Sequence, residues 1–255
     1  MKPILRFQDV SLAYESVRAE TSAVKGLTFE VGQGEFVAIV GPSGCGKSTV
    51  LSMAAGLIAP DEGRILLFDR AVRGPSAAVG YMLQRDHLLE WQSIMDNALL
   101  GLKVQRKVDA RARARVKNLL AACELTQFAD RRPSELSGGM RQRAALVRTL
   151  APDPKILLLD EPFSALDYQT RLTLADELSA IIRREQKTAL FVTHDISEAI
   201  SIADRVLILS RRPAAVKKSV KIDLACPTPL ARRKHPGFQW YFNAIWKEMD
   251  ENVAR

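Results

Sequence analysis

The run Gly41-Pro42-Ser43-Gly44-Cys45-Gly46-Lys47-Ser48 fits the phosphate-binding pattern G-x-x-x-x-G-K-[ST] in full. It follows the apolar stretch Glu35 to Val40 and precedes STVLSMAAGL, so strand, glycine-rich turn and helix stand in the order that motif requires. Glycines let successive backbone N–H groups converge on phosphate oxygens at a helix N-terminus. Lys47 would add a cation near the β- and γ-phosphates, the Ser48 hydroxyl would ligate Mg²⁺, and Thr49 continues the same nucleotide-binding set.

A second chemical feature is Ile156-Leu-Leu-Leu-Asp160-Glu161, an apolar run ending in adjacent carboxylates. Strand alternation aims two successive side chains in different directions. Asp160 is therefore expected to hold Mg²⁺, mostly through water, and Glu161 to polarise a water for in-line displacement at a γ-phosphate. An isolated Asp-Glu pair can equally cap a strand end; its position downstream of a phosphate loop favours the chemical role. Leu136-Ser137-Gly138-Gly139-Met140-Arg141-Gln142-Arg143 offers another helix N-terminus suited to an anion, although Ser-Gly-Gly alone is also an ordinary helix cap.

These residues need a scaffold. Lys155 to Asp160 and Thr188 to His194 have the length and two-sided hydrophobicity of strands covered by helices on both faces, with Tyr168 to Glu185 as a helical crossover. Ile4 to Tyr14, Leu27 to Val31 and Gly63 to Phe68 are short, partly alternating and bounded by Gly or Pro, and are expected to form a small antiparallel sheet. Between about Arg85 and Leu150 strand-like runs vanish, and Val108 to Leu120 carries apolar residues at helical spacing. The expected fold is α/β: a P-loop NTPase with a RecA-like parallel sheet core, an antiparallel β subdomain and an inserted α-helical subdomain.

With 255 residues, 47% of them hydrophobic, the chain can close one substantial core and carry a smaller subdomain, which excludes a disordered tail protein. No stretch approaches the roughly 18 to 20 apolar residues of a bilayer-spanning helix. The segment Met1-Lys2-Pro3-Ile4-Leu5-Arg6 lacks the apolar run of a secretory signal, so a cytosolic location is expected. Cys45, Cys123 and Cys226 are widely spaced and suit unpaired thiols in a reducing compartment. Cys45, inside the phosphate loop, is expected to react with thiol reagents and to be shielded by ATP. The net charge of +8 favours contact with nucleic acid or an anionic membrane surface and names neither.

Taken in order from Tyr14 to His194, these motifs resemble the ATP-binding cassette (ABC) family. The family's signature is normally LSGGQ; here it reads LSGGM, with Gln142 two positions later. The resemblance implies that Tyr14 stacks on adenine and that Gln84 touches metal and attacking water while sensing a membrane partner. It further implies that Ser164 and Asp167 belong to a loop crossing a dimer interface, and that His194 contacts the γ-phosphate beside catalytic Glu161. Ser137, Gly138, Gly139, Met140 and Gln142 would face the ATP of a partner subunit. The implied assembly is a homodimer packed head to tail around two ATP molecules with Mg²⁺, closing on ATP and opening after hydrolysis.

Gln84-Arg-Asp-His-Leu-Leu-Glu-Trp91, LSGGMRQR and the HPGF-containing tail resemble the ATPases of nitrate, sulfonate and taurine importers. Those usually show Leu-Leu-Pro-Trp, where Glu90 replaces the proline here. Trp91 would then lie where a membrane subunit docks, unless it is simply a core aromatic. The implied partners are membrane permease subunits and, indirectly, an extracytoplasmic solute-binding protein, with the chain peripheral on the cytoplasmic face of the inner membrane. The implied cassette runs over 4–235, its core at about 4–84 and 151–222 and its helical subdomain at about 85–150, followed by a helical tail at 236–255. No nucleic-acid partner is expected, because a DNA-repair ATPase of this family needs long coiled coils and the span from Gln84 to Leu136 is too short. An exporter's ATPase shares the same hydrolytic residues. The bases Lys103, Arg106, Lys107, Arg111, Arg113, Arg115 and Lys117, opposed only by Asp109 in that stretch, read as a solvated helix face.

Overall fold

The computed structural model describes residues 2–16, 19–164 and 166–250. Two sheets organise it. In the first, β1 (Pro3–Ser16) pairs antiparallel with β2 (Ala19–Gly32) on one edge and with β4 (Glu62–Leu67) on the other, and β5 (Arg70–Ala71) follows β4. The second has the order β10 (Val216–Lys221), β9 (Arg205–Leu209), β3 (Phe36–Val40), β8 (Thr188–Val192), β7 (Ile156–Asp160) and β6 (Val79–Met82). All its pairings are parallel except β9 with β10.

The continuous apolar runs are explained by burial on both faces. Val37, Ile39, Ile156, Leu158, Leu190, Val192, Leu207 and Leu209 point into one core, shared with the four-stranded sheet and with α1 (Lys47–Ala54). Their neighbours Phe36, Ala38, Val40, Leu157, Leu159, Ala189, Phe191, Val206 and Ile208 point into the other. Phe191 anchors that second core, packing edge-on against Phe36 and Phe163 with centroids 6.1 and 5.9 Å away.

Between β6 and β7 the chain is helical: α2 (Ile94–Ala98), α3 (Leu100–Val104), α4 (Ala110–Ala122) and α5 (Gly138–Leu150). Val116, Leu119 and Leu120 of α4 and Ala144, Leu146 and Val147 of α5 join the core around Phe191. Helix α4 starts after Asp109, whose carboxylate accepts the Ala112 N–H at 2.6 Å, so this acid is an N-cap. The basic stretch draws its counter-charges from elsewhere: Lys103 pairs with Asp96, and Arg115 with Asp153 and Glu185. Helix α6 (Tyr168–Arg184) is the crossover from β7 to β8, and α7 (Ile196–Ile202) leads to β9. The chain then continues through α8 (Pro229–Arg233) to α9 (Phe238–Asp250).

The antiparallel sheet is larger than its sequence suggests. β2 begins at Ala19 instead of Leu27, because backbone pairing with β1 carries a stretch whose polar residues Thr21, Ser22 and Lys25 hide any alternation. β6 is concealed by Gly80, which looks like a breaker but is a packing requirement: a Cβ there would come within 2.9 Å of Pro154. Among the described residues no helix is long and apolar enough to cross a membrane.

Candidate nucleotide site

The phosphate loop joins β3 to α1, and its backbone fits its sequence. Gly44 and Gly46 have φ of 71° and 119°, values that side-chain-bearing residues avoid. The Gly46 conformation also brings the backbone against Ala23, whose carbonyl oxygen would lie 3.0 Å from an added Cβ. Lys47, only 7% exposed, folds back so that Nζ donates to the carbonyls of Gly41 and Pro42, both at 2.9 Å. The ammonium thus braces the loop from which it would reach a phosphate. Ser43, Gly44 and Ser48 are exposed on the open side.

Cys45 does not behave as its position suggested. It is 1% exposed, packed in the core beside the four-stranded sheet, and burial pushes its thiol up. The expectation of a reactive loop thiol is therefore corrected, since a buried, protonated thiol is a poor nucleophile. Cys123 and Cys226 are likewise free, and burial takes the Cys123 thiol up to about 12.

Tyr14 lies at the edge of the loop, its hydroxyl 3.2 Å from Thr49 Oγ1 and its ring 42% exposed. At the end of β7 Asp160 accepts a hydrogen bond from Ser48 Oγ at 3.2 Å. Burial raises the Asp160 carboxyl above its usual 3.8; the Ser48 hydroxyl opposes this, the Glu161 charge adds to it, and Lys47 opposes it. A buried carboxylate beside a hydroxyl is a hard-oxygen donor pair that suits Mg²⁺ completed by water and phosphate oxygens. Among the described residues no three His, Cys, Asp or Glu side chains gather to hold a metal without such help.

One residue later the backbone turns sharply. Glu161 has φ of 45°, uncommon for a side-chain-bearing residue, and its N–H is fixed to the Val192 carbonyl at 2.9 Å. Its carboxylate accepts from Gln84 Nε2 at 3.1 Å and lies 3.3 Å from His194 Nδ1. Gln84, Glu161 and His194, far apart in sequence, are thus one cluster beside Asp160 and Ser48. Ser164 Oγ donates to the Glu161 carbonyl at 3.1 Å, and Asp167 caps α6 through the N–H groups of Gln169 and Thr170.

Ser137 caps α5, accepting the Met140 N–H at 3.4 Å, and Ser137 and Gly138 are exposed. Gly139 sits against Thr170, whose methyl would be 2.9 Å from a Cβ, so the signature start adjoins the Asp167 loop. Met140 is half-buried. Gln142 departs from this group: it is 3% exposed and turned inward, donating to the Gln84 carbonyl at 3.4 Å. Gln142 shares the inner stripe of α5 with Ala145, Leu146 and Thr149, three, four and seven positions on, all of them buried.

Sequence reading missed the supports. Arg171 contacts Asp195 and Glu198 and donates to the Leu166 carbonyl, while buried Glu198 accepts from Thr193 Oγ1 at 2.6 Å. Together they fix the segment carrying His194 to the loop carrying Asp167. On the other side, Asp86 and Glu90 bind Arg141, and Arg148 donates to the carbonyls of Asp86 and His87. Arg141 and Arg148, two of the three arginines of α5, one turn and three turns into the helix, were the available signal. Trp91 is 71% exposed and so is not a core aromatic.

A glycine-rich phosphate loop after β3, a carboxylate pair at the end of β7 and a parallel sheet between helices define a P-loop NTPase. The ABC transporter family model matches residues 24–164. The chain belongs to that family, as an ATP-binding subunit in which ATP hydrolysis is coupled to transport. It is 45% identical over 248 residues to the uncharacterized ABC transporter ATP-binding protein YtlC of Bacillus subtilis, covering 96% of this chain and 95% of that one. It is 39% identical to the aliphatic sulfonates import ATP-binding protein SsuB of Bacillus licheniformis, covering 91% and 88%. Among solved structures it resembles the dimeric post-hydrolysis state of the ATP-binding cassette MJ0796 bound to ADP and Pi, with a TM-score of 0.76 and 29% identity over 86% of this chain and 99% of that one.

Proposed function

We propose that this chain works as a homodimer on the cytoplasmic face of the inner membrane, where two composite ATP sites drive import of a small anionic solute of the sulfonate, nitrate or taurine type. The observation that carries the hydrolytic part is the gathering of Gln84 and His194 on Glu161, the residue after Asp160, which Ser48 of the phosphate loop bonds. Exposed Ser137 and Gly138 at the N-terminus of α5 support a half-site completed by a second copy. The dimeric MJ0796 cassette with ADP and Pi is consistent with that pairing.

In this reading the loop N–H groups from Gly41 to Thr49 cradle the phosphates and Lys47 leaves its two carbonyls to bind them. Tyr14 lies under the adenine, and Ser48, Asp160 and Gln84 hold Mg²⁺, which neutralises phosphate charge when bound. Glu161, held between Gln84 and His194, takes the proton of the attacking water, while His194 contacts the γ-phosphate. Ser137, Gly138 and Gly139 grip the ATP of the other protomer, and Ser164 and Asp167 cross the interface. Loss of the γ-phosphate removes the group joining the halves, so the dimer opens.

We read 4–84 and 151–222 as the catalytic core, 85–150 as the helical subdomain and 236–255 as a tail, of which 251–255 lie outside the described residues. Permease subunits dock near exposed Trp91, and a solute-binding protein acts through them. The similarity to SsuB favours import over export. Glu161→Gln tests the core of this reading: with Mg-ATP it should run as a stable dimer in sedimentation, and a monomer at saturating ATP would count against it. Co-purified permease and an ATPase stimulated by sulfonates would test the cargo.

A further inference from the structure

The segment from Gln84 to Ser93 has no regular structure, yet it is held on every side. Buried Asn97 accepts the Leu89 N–H at 2.7 Å and donates to the carbonyls of Leu89, Gln92 and Ser93 at 3.1, 3.3 and 3.0 Å. Asp86 accepts the Leu88 N–H at 3.0 Å. Helix α5 supplies the rest. Arg148 donates to the Asp86 and His87 carbonyls at 2.5 and 2.6 Å, and Gln142 to the Gln84 carbonyl at 3.4 Å.

Arg141 is the centre of this attachment. Its guanidinium binds Asp86 through Nε at 2.9 Å and Nη2 at 3.1 Å, and the same Nη2 reaches Glu90 at 2.6 Å. A planar fork satisfying two carboxylates fixes orientation as well as distance. Arg141 lies in the first turn of α5, its N–H bonded to the Ser137 carbonyl at 2.9 Å. The segment it grips runs from Gln84, 3.1 Å from Glu161, to exposed Trp91 beside Glu90. Arg141 therefore ties the first turn of α5, next to the exposed signature serine, to Asp86 and Glu90 of the loop that runs from Gln84 to Trp91.

We propose that Arg141, acting through Asp86 and Glu90, is the positioning residue that makes the 84–91 loop and the signature end of α5 a single unit, so that closure of the signature on ATP is delivered to Trp91. This rests on the composite-site reading above. Glu90 sets the far end of the grip, and a proline at that position would leave Arg141 attached at Asp86 alone.

The test uses Trp91 as its own reporter. Trp240→Phe with Trp246→Phe leaves it the sole tryptophan, and Glu161→Gln prevents turnover. Emission of Trp91 and dimer formation by sedimentation are followed in the same Mg-ATP titration. The parent reporter should show an emission shift that tracks the dimer. In Arg141→Met the dimer should still form at saturating ATP, with the Trp91 shift reduced at least about fivefold. Glu90→Gln should lose part of the shift, and Arg141→Lys, a point charge without the fork, should fall between. If Arg141→Met does not fold, Asp86→Asn with Glu90→Gln carries the same expectation. A full shift in a dimeric Arg141→Met or in the double variant would overturn the proposal, as would a parent dimer with no shift. A parent that fails to dimerise would remove the composite-site reading and the proposal with it.

Discussion

Gln84 donates its side-chain amide to the Glu161 carboxylate at 3.1 Å, joining the end of β7 to a loop that reaches the surface at Trp91. The carboxylate proposed to activate water is thus bonded to the segment proposed to contact the permease. Gln84→Ala should leave ATP affinity within about threefold and lower turnover by about 10²-fold, since it removes orientation without removing the base. Steady-state ATPase measured beside nucleotide binding checks this; an equal loss of affinity would assign Gln84 to ground-state binding.

Lys47→Ala should abolish detectable ATP binding by equilibrium dialysis. It should also loosen the empty loop, because Nζ is the donor that Gly41 and Pro42 carbonyls share at 2.9 Å. Hydrogen bonds to charged groups contribute about 1.5–3 kcal/mol, so the nucleotide-free variant should melt lower than wild type.

Asp160 carries a pH signature. Its folded carboxyl titrates above the ordinary 3.8, chiefly through burial. Between those two values the folded state holds more protons than the unfolded one, so this group's contribution to stability falls as pH rises through the window. Asp160→Asn should remove that cost: at neutral pH the nucleotide-free variant should melt higher than wild type, with the gap shrinking towards pH 4. The same variant should lose the stabilisation that Mg-ATP gives wild type. A gap that widens on acidification would contradict the burial argument.

Thiol labelling of the native protein should be slow at Cys45 and Cys123 with or without ATP and fastest at Cys226, the half-buried one. Mass spectrometry after brief exposure to a maleimide reads this directly. Rapid modification of Cys45 relieved by ATP would restore the reactive-thiol expectation.

Local order made much of this legible. The phosphate loop and the strand ending in Asp160 and Glu161 were readable because each motif is contiguous and its neighbours have the right period. The pairing of Glu161 with His194 and Gln84 was implied only by resemblance, since nothing local encodes a meeting of three separate segments. Strand β6 was hidden because Gly80 is required by Pro154, a neighbour distant in sequence. Cys45 was misjudged because a loop position does not reveal which face of the loop a side chain takes. Arg141 and Arg171 went unnoticed because bases on helices are usually solvated, and only the fold brings Asp86, Glu90, Asp195 and Glu198 to them.

The central claim, that each ATP is cleaved between the phosphate loop of one protomer and the signature of another, is tested by mixing Lys47→Ala with Ser137→Arg. Each variant alone has two defective sites and should be inactive. A mixed dimer has one intact site, so an equimolar mixture should recover about a quarter of wild-type ATPase activity. No recovery in dimers shown to be mixed, or full activity from Ser137→Arg alone, would contradict the account.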